Sequence, residues 1–295
     1  MGEKITAPLD EKALSRLADI IAKESRMAAN HACAIAASVR SGMKNGFSFK
    51  LIGVKNISAE YFELLPKKTL FGEKTKVIDR PEKWFRYSYN KLRLCNIKVV
   101  LPEHTSENAE DIDSNGTALA CLYENDRASL FVPAWTYDPK TDRWSVVYRE
   151  TPCDDASLAK SRFADNSSEL KSALSALIDF TEALGKDGLK NYSNWLMCGI
   201  EELNGRNANM DILDDVIPFA AEDSRLIPPI RRPKLSEKSA HIYNAASKTP
   251  IYGGKCYRDI RRAASECGAE NRADELFLEL DRCQRNAMLY TVNES

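Results

Sequence analysis

The sequence predicts an α+β fold with a long N-terminal helix, a central and mostly antiparallel β-sheet, and an all-helical C-terminal half. Three observations predict it: apolar residues recur at helical spacing near the N-terminus, alternation dominates the middle, and helical spacing returns after Thr151. The expected units are residues 1–45 for the N-terminal helical segment, 46–153 for the sheet domain and 154–295 for the helical domain. A chain of 295 residues suits two domains of ordinary size.

The first element expected is a helix from Asp10 to Ser41, read as one long helix or two consecutive ones. Asp10 is an acceptable N-cap, and Gly42 suits the position after a helix end. The second half of this stretch is rich in alanine, and small side chains let another helix approach closely. This alanine stripe predicts packing inside the chain or pairing with a second copy.

Strands are expected next, over Phe47 to Lys55, Tyr89 to Leu101 and Thr117 to Tyr123, where apolar residues alternate. In the second strand, Cys95, Ile97, Val99 and Leu101 are expected on one side. The stretch from Ser58 to Ser88 is interrupted by prolines and gives no clear pattern. With the hairpin described next, these runs predict a sheet of about four to six strands.

The clearest signal is a β-hairpin from Ala128 to Glu150, in which two aromatic-rich runs flank the turn residues Asp138 to Asp142. A five-residue loop there would place Tyr137 opposite Arg143. The expected core face then carries Leu130, Val132, Ala134, Thr136, Trp144, Val146 and Tyr148, and the other face carries Phe131, Pro133, Trp135, Tyr137, Arg143, Ser145, Val147 and Arg149. A different loop length would exchange the faces of one strand.

The hairpin also predicts a surface for a binding partner. Pro133 donates no ladder hydrogen bond, so its strand is expected at an edge or a bulge. An edge strand carrying Trp135, Tyr137 and Arg143 suits the binding of a partner. The alternative is that helices of the same chain cover this face.

After Thr151 the pattern predicts helices separated by polar or glycine-containing turns. The expected ranges are Asn166 to Gly185, Leu189 to Leu203, Asp211 to Ala221, Ser236 to Ser247, Cys256 to Cys267, and Arg272 to about Leu289. Ser236 is expected to cap its helix, and Gly268 to end the helix before it.

Composition argues against several classes of function. The net charge of −1 argues against general affinity for nucleic acid or an anionic membrane. The sequence contains no apolar run long enough to predict a membrane span. Eight cysteines are spread along the chain without a CxxC pair, which indicates reduced thiols in a cytoplasmic protein. No cofactor is expected, because the common nucleotide-binding and hydrolase motifs are absent from the sequence.

One short stretch resembles a metal-binding loop. Asp111, Asp113 and Asn115, followed by Gly116, match the first half of an EF-hand calcium loop. The match fails at the twelfth position, where Leu122 stands in place of the required glutamate. The metal prediction for Asp111, Asp113 and Asn115 is therefore weak, and the alternative is an acidic solvated turn.

The strongest functional signal is a basic segment from Glu222 to Arg262, in which ten basic residues outnumber four acidic ones. Its extended Pro/Arg part covers residues 225–235. Arginine can contact phosphate while bases stack on tyrosine, and the same residues could bind an acidic protein surface. The alternative is a solvated linker. The residues predicted to bind partner or nucleic acid are Arg225, Arg231, Arg232, Lys234, Tyr252, Lys255, Arg258, Arg261 and Arg262, with Trp135, Tyr137 and Arg143 of the hairpin.

These features predict a non-enzymatic protein-binding or assembly protein that forms homo-oligomers. A motif-poor sequence of this kind suits a phage or mobile-element protein that acts on a host complex. The first alternative is a nucleic-acid-binding module that uses residues 225–262. The second is a metal-dependent hydrolase or nuclease that uses the carboxylates of Asp111 and Asp113.

Overall fold

A computed structural model describes residues 28–29, 31–40, 42–44, 57–69, 72–101, 117–138, 140–141, 143–153, 160, 162–206 and 235–294. Residues 31–40 are helical. The strands are β1 (Ile57–Glu63), β2 (Lys67–Thr69), β3 (Gly72–Lys74), β4 (Val77–Asp79), β5 (Leu94–Val100), β6 (Ala118–Tyr123), β7 (Ala128–Asp138) and β8 (Arg143–Cys153). The helices are α1 (Pro81–Leu92), α2 (Ser167–Ala183), α3 (Lys190–Leu203), α4 (Glu237–Lys248), α5 (Lys255–Ser265) and α6 (Glu270–Asn293), with a 3₁₀ turn at Asp187–Leu189.

A mixed six-stranded sheet has the order β4-β1-β8-β7-β6-β5, and β2 and β3 form a separate two-stranded hairpin. Strands β1 and β8 are parallel, and the other four pairings of the large sheet are antiparallel. The α+β prediction with a central sheet and a helical C-terminal half is therefore confirmed. Most of the predicted helix from Asp10, the strand from Phe47 and the helix from Asp211 lie outside the described residues.

The predicted hairpin register is wrong by one residue. Asp138 pairs with Arg143 and Tyr137 with Trp144, so the connection has four residues instead of five. The shift exchanges the faces of β7, as expected for a structure whose side chains alternate. Phe131 and Pro133 are buried on the same side as Trp144, Val146 and Tyr148, whereas Leu130, Val132, Ala134 and Thr136 point to the other side.

The predicted edge position of Pro133 agrees with the local structure, although β7 is an inner strand of the sheet. The described pairing of β6 with β7 ends at Phe131, while β8 continues alongside β7 to Asp138. Beyond Phe131, β7 therefore has one described neighbour, and a missing N–H at Pro133 costs no ladder bond on the β6 side.

The region that gave no sequence pattern, Ser58 to Ser88, contains β1 to β4 and the start of α1. Pro81 occupies the first turn of α1. Backbone N–H groups in a first turn have no intrahelical partner, so the N–H that proline lacks costs no helix hydrogen bond. Tyr89 belongs to this helix, so the strand predicted from Tyr89 begins only at Leu94. A register irregularity follows Leu94, and Cys95 is exposed instead of sharing the buried side with Ile97 and Val99.

The alanine-rich N-terminal residues pack inside the chain. Ala28, Ala32 and Ala36 have no exposed surface, so they do not form a face for a second copy. Beside this helix, the rings of Trp84, Phe62 and Tyr148 stack in sequence, with centroid separations of 4.4 and 5.0 Å. One hydrophobic core contains residues of the sheet and of the helices.

The helical half follows its sequence signals closely. The Ser236 hydroxyl accepts a hydrogen bond from the Ser239 N–H and caps α4, as predicted. Helix α6 is longer than predicted and ends against the sheet. Its Asn293 side chain accepts from the Val99 N–H at 2.9 Å and donates to the Val99 carbonyl at 3.1 Å. This contact occupies the outer edge of β5, at the end of the sheet opposite β4.

Candidate interaction surfaces

The hairpin residues predicted to bind a partner are divided between the two faces of the sheet. Trp135 points to the core side, where it packs against Trp144 with ring centroids 6.3 Å apart. Arg143 is exposed on the opposite side. The Tyr137 side chain is outside the described part. The register turns the Trp135 ring to the core side, so Trp135 and Arg143 do not share one face of the sheet.

The described half of the predicted basic segment is largely neutralised by internal pairs. Arg261 contacts Asp274 at 2.8 Å, and Arg262 contacts Asp259 at 3.1 Å. Arg258 donates a hydrogen bond to the Gly253 carbonyl. Lys255 is exposed. Arg225, Arg231, Arg232 and Lys234 lie outside the described residues, so their placement stays a prediction.

The tyrosines of that segment belong to the interior. Tyr252 is only 4% exposed, and the Tyr257 hydroxyl donates to Asp274 at 2.7 Å. Burial, together with hydrogen bonds to Tyr252 and Asp274, raises the pKa of Tyr257 well above its usual range. These rings are packed in the protein and do not form a stacking surface for bases.

A second basic region, which the sequence reading missed, lies on the β2–β3 hairpin, on either side of β4 and along α1. We call it the basic surface and define it by its nine exposed cationic side chains: Lys67, Lys68, Lys74, Lys76, Arg80, Lys83, Arg86, Lys91 and Arg93. Only three acidic residues, Glu73, Asp79 and Glu82, occur between Lys67 and Arg93. A simple count of charges over this stretch would have found it.

Contacts connect the hairpin base to α1. The Lys76 ammonium lies 3.6 Å from the centroid of the Tyr87 ring, and Lys83 binds Asp79 at 2.7 Å. The hydrogen bond from Lys83 lowers the pKa of Asp79, aided by the charges of Lys83 and Arg80, so this carboxylate stays ionised near neutral pH. Lys67, Lys68 and Lys74 make no ion pair within the residues that the structure describes.

An apolar group lies on the face of the sheet opposite α1. Tyr61 and Val77 are 40% and 54% exposed, and Val147, Ala134 and Val132 continue the group across β8 and β7 as half-buried side chains. We call these five residues the outer apolar patch. Tyr61, Val77 and Met197 are the large exposed hydrophobic residues of the described part, and two of them are neighbours here. The Arg149–Glu63 ion pair lies between Val77 and Val132, in the same row across the strands.

The most organised polar group is buried. His31 Nδ1 lies 2.9 Å from the Tyr148 hydroxyl, and His31 Nε2 lies 2.5 Å from the Glu60 carboxylate. His31 is 3% exposed, and the Tyr148 hydroxyl is fully buried, so a substrate has no direct access to either. Burial, with the nearby Glu60 charge, raises the pKa of Tyr148 well above its usual range. Both partners of His31 are distant in sequence, so no local pattern around His31 predicts these contacts.

Neither metal-binding nor membrane-spanning features occur in the described ranges. Among those residues, no three His, Cys, Asp or Glu side chains converge as metal ligands. Asp111, Asp113 and Asn115 lie outside them, so the weak metal prediction stays a prediction. The described helices include none with the length and apolar character needed to cross a bilayer.

Comparison with known proteins adds no relative. No family model matches the chain, no curated protein matches its sequence, and no solved structure matches its fold.

Proposed function

We propose that this protein is a non-enzymatic binding protein that docks a protein partner through the outer apolar patch. The observation that supports the proposal is the pair of exposed side chains at Tyr61 and Val77, which lie on neighbouring strands. Exposed apolar groups cost free energy in water, about 25 cal/mol for each Å². Clustered exposure at a sheet edge is therefore typical of a surface that a partner covers.

The surroundings of the patch also favour a protein partner. Protein interfaces combine an apolar centre with a polar and charged rim. The Arg149–Glu63 pair lies between Val77 and Val132, and Lys76 and Arg80 flank β4, so charged groups adjoin the apolar residues. A nucleic-acid backbone would use the cations, but it has no complementary group for Val77.

Site-specific photocrosslinking in the native host tests the proposal. A photoreactive phenylalanine analogue placed at position 61 is expected to form a few discrete protein adducts. The same analogue at Lys190, an exposed residue at the start of α3, is the matched control and is expected to form none of them. Val77→Lys should weaken the adducts from position 61 at least about tenfold, because it replaces the most exposed apolar side chain of the patch with a charge.

Two outcomes would separate the alternatives. Equal adduct patterns from positions 61 and 190, or none from position 61, would contradict the proposal. An adduct of twice the chain mass would identify a second copy as the partner, and light scattering after size-exclusion chromatography would then test the predicted homo-oligomer.

A second candidate function is nucleic-acid binding, and the basic surface is the observation that favours it. Nine exposed cations against three acids give residues 67–93 a net charge of +6. Binding through phosphate contacts should weaken steeply as salt concentration rises. We expect Lys67→Glu with Lys68→Glu to abolish a salt-dependent anisotropy change with single-stranded DNA, whereas Arg261→Ala with Arg262→Ala should preserve it. No binding at low salt would reject this candidate.

A further inference from the structure

The two edge strands of the large sheet, β5 and β4, differ in what contacts them. At β5, the Asn293 side chain occupies both backbone groups of Val99. At β4, the terminal strand of the sheet order, Val77 is more than half exposed. Open strand edges invite pairing with another chain, and proteins usually block them. Among the described residues, no segment pairs with the outer side of β4, so β4 is the accessible edge of the described sheet.

The backbone groups available at β4 follow from its pairing with β1. The Leu64 N–H donates to the Lys76 carbonyl and the Arg80 N–H donates to the Glu60 carbonyl, each at 2.9 Å. Antiparallel strands alternate the direction of their backbone groups. The backbone groups that face β1 are therefore those of Lys76, Ile78 and Arg80. The backbone N–H and carbonyl groups of Val77 and Asp79 face away from the sheet.

The side chains around this edge define a partner with two different faces. Val77 and Tyr61 lie on the outer face of the sheet, next to Asp79. Lys76 lies on the α1 side, against Tyr87, and Arg80 immediately precedes α1. An added antiparallel strand would thus meet Val77 and Asp79 on the outer face and Lys76 and Ile78 on the α1 side, with Arg80 at the end of β4 in contact with the Asp79 carboxylate.

We infer that β4 accepts an extended segment of a partner protein, with alternating acidic and apolar or small residues, as an additional antiparallel strand. The inference deepens the proposed function, on which it rests, by naming the chemistry of the partner. Asp79 does not oppose an acidic partner strongly, because Lys83 and Arg80 both contact its carboxylate. Main-chain hydrogen bonds supply affinity in this mode, and side chains supply specificity.

A second copy of this chain fits the edge poorly. If β4 paired with β4 of another copy about a twofold axis through Ile78, Lys76 of each copy would lie opposite Arg80 of the other. Like charges directly opposite each other destabilise a strand pair. The charge pattern therefore favours an acidic partner strand over self-association at this edge.

Fluorescence anisotropy with the labelled peptide Glu-Thr-Glu-Val-Glu tests the inference. Its threonine and valine are designed to lie opposite Asp79 and Val77, its first and last glutamates opposite Arg80 and Lys76, and its middle glutamate opposite Ile78. We expect saturable binding that N-methylation of the threonine and valine reduces at least about tenfold, since only those N–H groups face β4. The matched control is N-methylation of the first and third glutamates, which are peptide positions 1 and 5, and it should preserve binding.

Protein variants provide the second arm. Lys76→Glu with Arg80→Glu should weaken peptide binding about tenfold or more. Lys190→Glu with Arg206→Glu, an equal charge change at exposed residues at the start of α3 and just beyond its end, should change binding less than about twofold. Equal binding by both N-methylated peptides would overturn strand addition. If the peptide fails to bind while position 61 still forms discrete adducts, the inference is wrong and the proposed function stands.

Discussion

At the scale of single residues, the buried contact of His31 with Glu60 and Tyr148 is the most informative feature. Neither partner is near His31 in sequence: Glu60 is 29 residues away and Tyr148 is 117 residues away. In the neutral tautomer that satisfies both contacts, the Tyr148 hydroxyl donates to Nδ1 and the Nε2–H donates to the Glu60 carboxylate. The group joins the N-terminal helical residues to β1 and β8.

The network predicts coupled effects of substitution. Tyr148→Phe leaves a buried imidazole nitrogen without its partner and should lower the free energy of unfolding by about 1–3 kcal/mol. Glu60→Gln should also destabilise the protein. Because both partners bind one ring, a double-mutant cycle measured by urea unfolding should show an interaction energy of about 0.5 kcal/mol or more. Additive effects would contradict a shared network.

The cysteines should differ strongly in reactivity. Burial raises the pKa of the Cys33 thiol to about 12, although a hydrogen bond with Tyr243 partly opposes this rise. A raised thiol pKa means that the reactive thiolate is rare below that pH, on the order of one molecule in 10⁴ at pH 8. We expect iodoacetamide at pH 8 to modify exposed Cys267 in the native protein and to modify Cys33 only after unfolding. Equal rates at both residues in the native protein would be evidence against this packing.

Gly199 marks a close approach between helices. A Cβ atom built there would lie 2.5 Å from Thr249 Cγ2 and 3.1 Å from Leu174 Cδ1. Gly199→Ala should therefore destabilise the protein by about 1–3 kcal/mol in urea unfolding, because overpacking outweighs the gain in helix propensity. Gly188→Ala is the matched control, since nothing lies within 4 Å of its Cβ, and it should change stability little. A stabilised Gly199→Ala protein would show that α3 packs less tightly against Thr249 and Leu174 than these distances indicate.

At the scale of elements, α6 connects the helical half to the sheet. Lys98 on β5 is nearly buried, yet its ammonium binds Glu294 at 2.9 Å just after α6 ends. The preceding residue, Asn293, binds the Val99 backbone as an adjacent strand would. Helix α6 therefore also closes one edge of the sheet.

The edge contact predicts a local effect of substitution. Asn293→Ala removes both bonds to Val99 and should lower the free energy of unfolding by about 1–3 kcal/mol. It should also increase hydrogen exchange at the Val99 amide by at least about tenfold, relative to amides in the middle of β7. Asn293→Asp keeps the acceptor and loses the donor, so its exchange rate should be intermediate. If the hydrogen-exchange rate of the Val99 amide were unchanged in Asn293→Ala, Asn293 would not be the group that blocks the β5 edge.

At the scale of the whole molecule, the predicted boundary near residue 153 lies across a shared core. That core includes Val99, Tyr148, Leu177 and Leu289, which come from both predicted domains. Groups that share one buried core unfold together. We expect a single urea transition reported identically by tryptophan fluorescence and far-ultraviolet circular dichroism. Two separated transitions would instead support independent units at residues 46–153 and 154–295.

The sequence by itself determined the described helices of the C-terminal half and the position of the hairpin. Their signals are local: Ser236 caps a helix through a residue three positions away, and helical or alternating spacing is set by the immediate neighbours. Only the tertiary structure decided the hairpin register, the parallel β1–β8 pairing, the partners of His31 and the closed edge at Val99. Each depends on groups brought together from distant positions, where one residue of loop length reverses a face and no local pattern records the partner.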